Sequence, residues 1–101
     1  MDSNKKQKIL NLIGLAQRAG RLISGEELVV EAIQKGQTKL VFLANDAAVN
    51  LSKKVTDKSY TYQVEVVTVF STLELSAAVG KARKVLAVTD AGFTKKMRSI
   101  M

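Results

Sequence analysis

Apolar residues near the start of the chain repeat with the period of a helix. Over residues 4–19 they recur at i, i+3, i+4 and i+7, which places them on one face: Ile9, Leu12, Ile13 and Ala16. Gly20 follows this stretch, and glycine readily adopts the left-handed conformation that ends many helices. The pattern therefore predicts an amphipathic helix over residues 4–19, followed by a short connection or strand over 21–24.

Two short segments have the Ser-x-x-Glu spacing of a helix capping box. In this motif the serine hydroxyl accepts a hydrogen bond from the backbone N–H three residues later, and the glutamate accepts one from the serine N–H. Ser24 and Glu27 predict the start of a second helix, and Ser71 and Glu74 predict the start of a short fourth helix. A glycine follows each of these helices and is expected to end it: Gly36 and Gly80.

Three apolar runs between the helices are typical of strands. Residues 40–44 and 85–88 are continuously apolar, which indicates strands buried on both faces, and residues 64–70 are rich in valine. The two continuous runs are each followed by residues that commonly cap helices, namely Asn45 with Asp46 and Thr89 with Asp90. We therefore expect a third helix over about 47–58 and a terminal helix after Asp90.

Helices and strands alternate strictly along the chain. Five predicted helices alternate with four predicted strands, and such alternation places helices on both faces of a parallel or mixed sheet. A chain of 101 residues that is 47% hydrophobic can bury one core without further stabilisation. We therefore expect an α/β fold, specifically a three-layer α/β/α sandwich with a central mixed four-stranded sheet, in a single domain over residues 1–101.

The composition excludes most common kinds of catalytic site. The chain has no cysteine and no histidine, which excludes thiolate metal sites, cysteine nucleophiles and the usual general base near neutral pH. No glycine-rich nucleotide-binding motif is present. Asp46 and Asp90 follow strands, where helix capping explains an aspartate without catalysis. We expect a protein that is not an enzyme and that has no cofactor and no metal.

The charge of the chain is positive and unevenly distributed. Sixteen basic and nine acidic residues give a net charge of +7, a balance typical of nucleic-acid-binding proteins, although it can also serve solubility alone. Residues 1–24 carry a net charge of +4 and residues 81–101 carry +5, so the middle of the chain is slightly acidic. If the two ends of the chain meet in space, they form one basic face.

One turn combines small residues with basic ones. Lys81, Arg83 and Lys84 follow Gly80, so the backbone could approach a sugar-phosphate chain while the long side chains reach its phosphates. The alternative is an ordinary solvated loop. Tyr60 and Tyr62 could stack on bases, but at the entrance of a strand they are expected to be half-buried packing residues.

Several segments in order resemble a known family. These are RLISGEELVVEAIQKG, LVFLANDA and LSAAVGKARK followed by VLAVTD, and the similarity extends over about residues 4–100. The chain resembles the kink-turn RNA-binding ribosomal protein superfamily, which includes the large-subunit ribosomal proteins L seven Ae and L thirty e, and most of all its small bacterial YlxQ-like branch. The resemblance implies an α/β/α sandwich and recognition of a sharply bent internal RNA loop with tandem sheared G·A pairs.

The resemblance also indicates which residues would contact RNA. In the helix motif of the family, Gly25 is kept, while the asparagine, glutamate and lysine positions hold Glu27, Leu28 and Glu31. The loop motif covers residues 75–80, with Ser76 in place of a glycine as its one departure. By this resemblance, Val79 would pack on an exposed nucleobase and Lys81 would contact a phosphate.

The function that we expect is non-catalytic recognition of kinked, structured RNA. Its partners would be a kinked stem, ribosomal RNA or the ribosome, and the protein would be a cytoplasmic monomer that does not contact membranes. The expected RNA-binding residues are Arg21, Gly25, Glu26, Glu27, Leu28, Glu31, Ala78, Val79, Gly80, Lys81, Arg83 and Lys84. The alternative is a protein-interaction module that has lost RNA recognition, which the acidic start of the second helix favours.

The sequence is compatible with two roles for Glu27. The Ser-x-x-Glu spacing favours a capping glutamate that folds back on the N–H of Ser24. If its carboxylate instead extends outward, it could accept hydrogen bonds from a guanine edge and replace the glutamate missing at Leu28. The two conformations predict opposite effects of mutation on RNA binding.

Overall fold

In the computed structural model, which describes all 101 residues, a four-stranded sheet is surrounded by five helices. The elements in chain order are α1 Ser3–Arg18, β1 Leu22–Ser24, α2 Glu26–Gln34, β2 Leu40–Leu43, α3 Val49–Thr61, β3 Glu65–Val67, α4 Thr72–Val79, β4 Val85–Val88 and α5 Ala91–Ile100. The predicted alternation of helices and strands is confirmed. None of the helices combines the length and the hydrophobicity that crossing a bilayer requires.

The sheet is mixed, as predicted, with the strand order β1-β4-β2-β3. β4 pairs antiparallel with both β1 and β2, whereas β2 and β3 are parallel. The two central strands, β2 and β4, are the two continuously apolar runs, and all eight of their residues are buried. A strand covered by helices on both faces has no polar face, which explains these runs.

Alternate residues of the central strands face two separate cores. Leu40 and Phe42 of β2 pack with α1, α4 and α5 on one side of the sheet, where the rings of Phe42 and Phe70 lie 5.9 Å apart. Val41 and Leu43 pack with α2 and α3 on the other side. The molecule is therefore a three-layer α/β/α sandwich, and the predicted fold class is confirmed.

Two of the predicted helix caps are present. The Ser71 hydroxyl accepts a hydrogen bond from the Glu74 N–H at 3.1 Å, and the Glu74 carboxylate accepts one from the Ser71 N–H at 3.0 Å, which completes a capping box. Asp90 caps α5 by accepting a hydrogen bond from the Phe93 N–H at 2.8 Å. Gly80 ends α4 in the left-handed conformation with φ 77°.

The predicted capping box at Ser24 and Glu27 is wrong. The N-cap of α2 is Gly25, with φ 98°, and no side chain caps the helix. Ser24 still belongs to β1, where it pairs with Leu86. Since residues with a Cβ rarely adopt a φ near 98°, the chain turns at the glycine, and the serine remains in the strand instead of capping the helix.

The prediction that Asn45 and Asp46 cap the third helix is also wrong. α3 begins at Val49 after Ala48, three residues beyond Asp46, and it has no side-chain cap. The Asp46 carboxylate instead accepts hydrogen bonds from the N–H and the hydroxyl of Thr72, at 2.9 and 2.6 Å. It therefore satisfies an unpaired amide at the start of α4, a helix that follows the neighbouring strand.

The two tyrosines are more exposed than expected. Tyr60 is 87% exposed and Tyr62 is 43% exposed at the end of α3. The expectation of half-buried packing residues is therefore wrong for both, and most clearly for Tyr60. The helix runs on to Thr61, so the tyrosines lie in its last turn and at its C-cap and not at the entrance of β3.

Candidate nucleic-acid interface

The two segments that the sequence singles out lie together at one end of the sheet. β1 ends at Ser24 beside the beginning of β4, and the Gly25 N–H donates a hydrogen bond to the Val85 carbonyl at 3.1 Å. The start of α2 therefore lies beside the loop that connects α4 to β4, although about 60 residues separate them along the chain. A shallow groove between them is lined by Gly25, Glu26, Leu51, Thr72, Ala82, Arg83, Lys84 and Val85.

Arg83 joins the two segments. Its Nε donates a hydrogen bond to the Ser24 hydroxyl at 2.9 Å, and its Nη1 donates one to the Ala82 carbonyl at 2.8 Å. The Ser24 hydroxyl, expected to cap α2, is thus an acceptor for this guanidinium. Arg83 is half-buried, so part of its side chain holds the loop in place while the rest can face a ligand.

Ser76, the one departure from the loop motif, has a clear structural role. Its hydroxyl accepts a hydrogen bond from the Arg83 N–H at 3.0 Å and donates one to the Arg83 carbonyl at 3.1 Å. A glycine at this position could form neither bond. The sequence marks Ser76 as unusual, but only the structure reveals that it fixes the backbone of the basic loop.

Lys81 and Lys84 are exposed cations on the same loop, and neither forms an ion pair. Lys84 lies close enough to Asp46 to contribute to the low pKa of that carboxyl, after the larger effect of the hydrogen bonds from Thr72. Both lysines are therefore free to bind phosphate groups. The loop provides mobile positive charge on a backbone that Ser76 and Arg83 hold in place.

The acidic start of α2 is partly neutralised by neighbouring lysines. Glu26 pairs with Lys54 of α3 at 3.1 Å, and Glu31 pairs with Lys35 at 2.7 Å. These exposed pairs contribute little to stability, but they cancel charge locally. Glu27 is exposed and has neither an ion-pair partner nor a side-chain hydrogen bond. Lys54 is a residue that the sequence analysis missed, because nothing in the sequence links it to Glu26.

Two apolar residues of the expected interface differ in accessibility. Leu28 is 57% exposed on α2, whereas Val79 is only 8% exposed and packs in the core beside Leu75. Contact between Val79 and a nucleobase stays a prediction, and it would have to use the small exposed part of this side chain. Gly80 is exposed, and Ala78 is half-buried in a separate groove between α1 and α4.

Arg21 does not lie with the other expected residues. It precedes β1, and its carbonyl accepts a hydrogen bond from the Thr89 N–H at 3.0 Å, just beyond the end of β4. Its Nε lies 3.9 Å from the Asp90 carboxylate. Because β4 begins at the candidate interface and ends here, Arg21 is at the opposite end of the sheet, and its inclusion in the same surface is not supported.

The fold and the interface together define a class of protein. The chain is a small α/β/α sandwich domain with a basic loop and a helix start brought together at one end of a mixed sheet. Residues 7–98 match the model of the Ribosomal protein L7Ae/L30e/S12e/Gadd45 family. The chain belongs to this family, and the predicted resemblance is confirmed.

Individual relatives are similar over almost the whole chain. A protein of Enterococcus faecium named RNA-binding protein YlxQ is 48% identical over 101 residues, which cover 100% of this chain and 98% of the relative. A protein of the same name from Bacillus subtilis strain 168 is 47% identical over 91 residues, which cover 89% of this chain and 91% of the relative.

Solved structures are similar as well. A Bacillus halodurans protein of unknown function superposes with a TM-score of 0.87 at 46% identity, covering 92% of this chain and 95% of its own. The Giardia lamblia 15.5kD RNA binding protein superposes with a TM-score of 0.86 at 16% identity, covering 99% and 87%. At such low identity the second similarity concerns the fold alone.

Proposed function

We propose that this protein is a non-catalytic RNA-binding protein that recognises kinked, structured RNA at the surface formed by the start of α2 and the loop between α4 and β4. The observation that carries the proposal is the hydrogen-bonded contact between these two segments, through Arg83 with Ser24 and through Gly25 with Val85. Relatives named as RNA-binding proteins at 47–48% identity, similar over nearly their whole length, support it.

The chemistry of the surface suits an RNA with a bent backbone. Lys81 and Lys84 would neutralise phosphates, while the exposed side chain of Leu28 and the exposed backbone at Gly80 would lie against bases and sugars. Glu27 could accept hydrogen bonds from base edges in an unpaired or sheared segment, where those edges are accessible. The surface therefore combines phosphate contacts, which give affinity, with contacts to bases, which give selectivity.

We propose ribosomal RNA, or RNA that associates with the ribosome, as the target in the cell. Membership of a family of ribosomal proteins and a net charge of +7 support this choice. We also propose that the protein acts in the cytoplasm as a monomer. The interface is complete within one copy of the chain.

Binding to two RNA stems tests the proposal. One stem contains an internal loop with tandem sheared G·A pairs, and the other has the loop replaced by Watson–Crick pairs. We expect the wild-type protein to prefer the kinked stem, and the variant with Lys81→Ala and Lys84→Ala to bind it with a log K versus log salt slope smaller in magnitude by up to about 1.4–1.8. A variant with Lys53→Ala and Lys58→Ala on α3 is the matched control and should keep the wild-type slope.

A protein-interaction module is the second candidate, which the exposed Leu28 beside the unpaired Glu27 favours. Under this alternative the wild-type protein would not distinguish the two stems, and the lysine variants on the loop and on α3 would behave alike. Either result would refute the proposed RNA recognition.

A further inference from the structure

Charged residues are divided unequally between the two helical layers. α1 and α5 together contain seven basic residues and no acidic residue, whereas α2 and α3 contain three basic and four acidic residues. α1 and α5 pack on the same side of the sheet, and α2 and α3 pack on the other. The two basic ends of the chain therefore do meet in space, and they form one cationic face.

Most of these cations are not compensated by neighbouring acids. On α1 and α5 only Lys6 and Arg98 form ion pairs, with Glu74 at 3.6 Å and with Glu65 at 2.8 Å. The other five are exposed and form no ion pair, although Asp2 at the N-cap of α1 lies near Lys5: Lys5, Lys8, Arg18, Lys95 and Lys96. Their mutual repulsion in the free protein is a cost that an anionic partner would relieve.

Two of these lysines line one groove between the helices. Lys8 of α1 and Lys96 of α5 lie on a groove of about 370 Å³ together with Asn11, Leu12 and Ile100. No acidic residue lines this groove. It therefore presents positive charge from two helices to any anion that lies along it.

The α1 part of the cationic face adjoins the candidate RNA interface through α4, whereas α5 is anchored at the opposite end of the sheet, where Arg98 donates a hydrogen bond to the Lys39 carbonyl. α4 packs against α1 so closely that a Cβ on Gly14 would lie 3.3 Å from the Ala78 carbonyl oxygen. Two residues after Ala78 the chain enters the basic loop at Gly80. An RNA strand that leaves the interface could thus reach α1 and α5 within the 30 Å length of the molecule.

We propose that the face formed by α1 and α5 is a second RNA-binding surface, which contacts the phosphate backbone of the same RNA outside the kinked segment. This inference rests on the proposed function and adds contacts to a part of the RNA that the interface itself does not reach. Phosphate contacts of this kind raise affinity and orient the RNA without reading its sequence. RNA is favoured over an acidic protein because α1 adjoins the proposed RNA interface and the exposed cations are distributed over two helices, as suits an extended polyanion.

The test compares a short kinked stem with the same stem lengthened by roughly 15 base pairs on each side. At about 3 Å per base pair each extension exceeds the 30 Å length of the protein. The variant carries Lys8→Gln and Lys96→Gln, and the matched control carries Lys53→Gln and Lys58→Gln on the opposite layer. All four lysines are on helices, and none forms an ion pair.

On the long RNA, the double variant should lower the magnitude of the salt slope by up to about 1.4–1.8, as for two phosphate contacts. When the salt concentration rises from about 50 to 200 mM, the affinity for the long RNA should fall for both proteins. The decrease for the wild type should be larger than that for the variant by a factor of up to about 7–12. On the short stem the variant, the control and the wild type should agree. The control should also match the wild type on the long RNA.

Equal slopes for the variant and the wild type on the long RNA would overturn the inference, and so would an equal decrease in the control. Binding of the wild type to vesicles of anionic phospholipid, lost in the variant while its RNA slopes stay unchanged, would assign the face to a membrane and also overturn it. If the wild type binds short kinked and straight stems equally, the proposed function fails. A smaller slope of the variant on the long RNA would still support a phosphate-binding face.

Discussion

Removal of the Ser76 hydroxyl tests whether the basic loop must be held in place for RNA binding. The substitution Ser76→Ala removes both hydrogen bonds of the hydroxyl, the one that it accepts from the Arg83 N–H and the one that it donates to the Arg83 carbonyl. We therefore expect lower stability together with weaker binding.

The size of the effect follows from these two bonds. A hydrogen bond between neutral groups contributes about 0.5–1.5 kcal/mol, so the two contribute about 1–3 kcal/mol. Alanine has a higher helix propensity than serine, which offsets this loss by up to about 0.7 kcal/mol. After this offset the free energy of unfolding should fall by about 0.5–2.5 kcal/mol. At about 4–8 °C per kcal/mol, this lowers the Tm of a domain of this size by about 2–20 °C.

The assay combines thermal unfolding with titration of the kinked stem. Ordering a loosened loop costs about 0.5–1.5 kcal/mol on binding, so the affinity should fall by about two- to tenfold. Ser52→Ala on α3 is the matched control, because Ser52 is half-buried in a helix and its hydroxyl has no hydrogen bond. An unchanged Tm for Ser76→Ala would refute the structural role of the hydroxyl, and a lower Tm with unchanged affinity would refute its role in the interface.

Three further changes have defined expected results. The Ser59 hydroxyl is buried without a hydrogen-bond partner, so Ser59→Ala should raise the free energy of unfolding by about 1 kcal/mol in a denaturant titration, and a decrease would indicate an unseen partner. Two hydrogen bonds from Thr72 hold the pKa of Asp46 below its ordinary value of 3.8, and the one from the hydroxyl has a larger effect than the one from the N–H. The folded state therefore binds this proton less readily than the unfolded chain, so the contribution of Asp46 is present above about pH 4 and lost as the pH falls through its lowered pKa. Between pH 6 and 3 the variant Asp46→Asn should lose less stability than the wild type, and an equal loss would show that the pair with Thr72 does not matter. Glu27→Gln should leave the Tm unchanged and weaken binding to the kinked stem about tenfold, whereas Asp57→Asn on α3 should affect neither; tighter binding of the Glu27 variant would show that the carboxylate only repels phosphates.

Those parts of the fold that depend on local pattern could be predicted from the sequence. The continuous apolar runs at 40–44 and 85–88 identified the two central strands, because only strands covered on both faces lack polar positions. The stop at Gly80 and the caps at Ser71 and Asp90 were also predicted, since each involves residues no more than four apart in sequence. The order of the strands in the sheet depends on contacts across the chain and was not predicted.

The two Ser-x-x-Glu segments show where local pattern is insufficient. Ser71 caps α4 as predicted, whereas Ser24 does not cap α2, although both are followed by a glutamate at the same spacing. The difference is Gly25, whose positive φ turns the chain one residue later and leaves the Ser24 hydroxyl facing Arg83. With the same spacing to a glutamate, Ser71 therefore caps a helix, whereas Ser24 contacts a residue from a distant segment.

The candidate interface depends on such distant contacts more than the fold does. Glu26 with Lys54, Asp46 with Thr72 and Ser24 with Arg83 are each separated by more than 25 residues, and no periodicity or motif indicates them. These contacts determine the charge and the rigidity of the interface, which composition alone does not give. The start of α2 is less acidic than its sequence indicates, because Lys54 neutralises Glu26 there. A motif can locate the segments that form an interface, but its charge and its rigidity follow from the residues that the fold brings beside it.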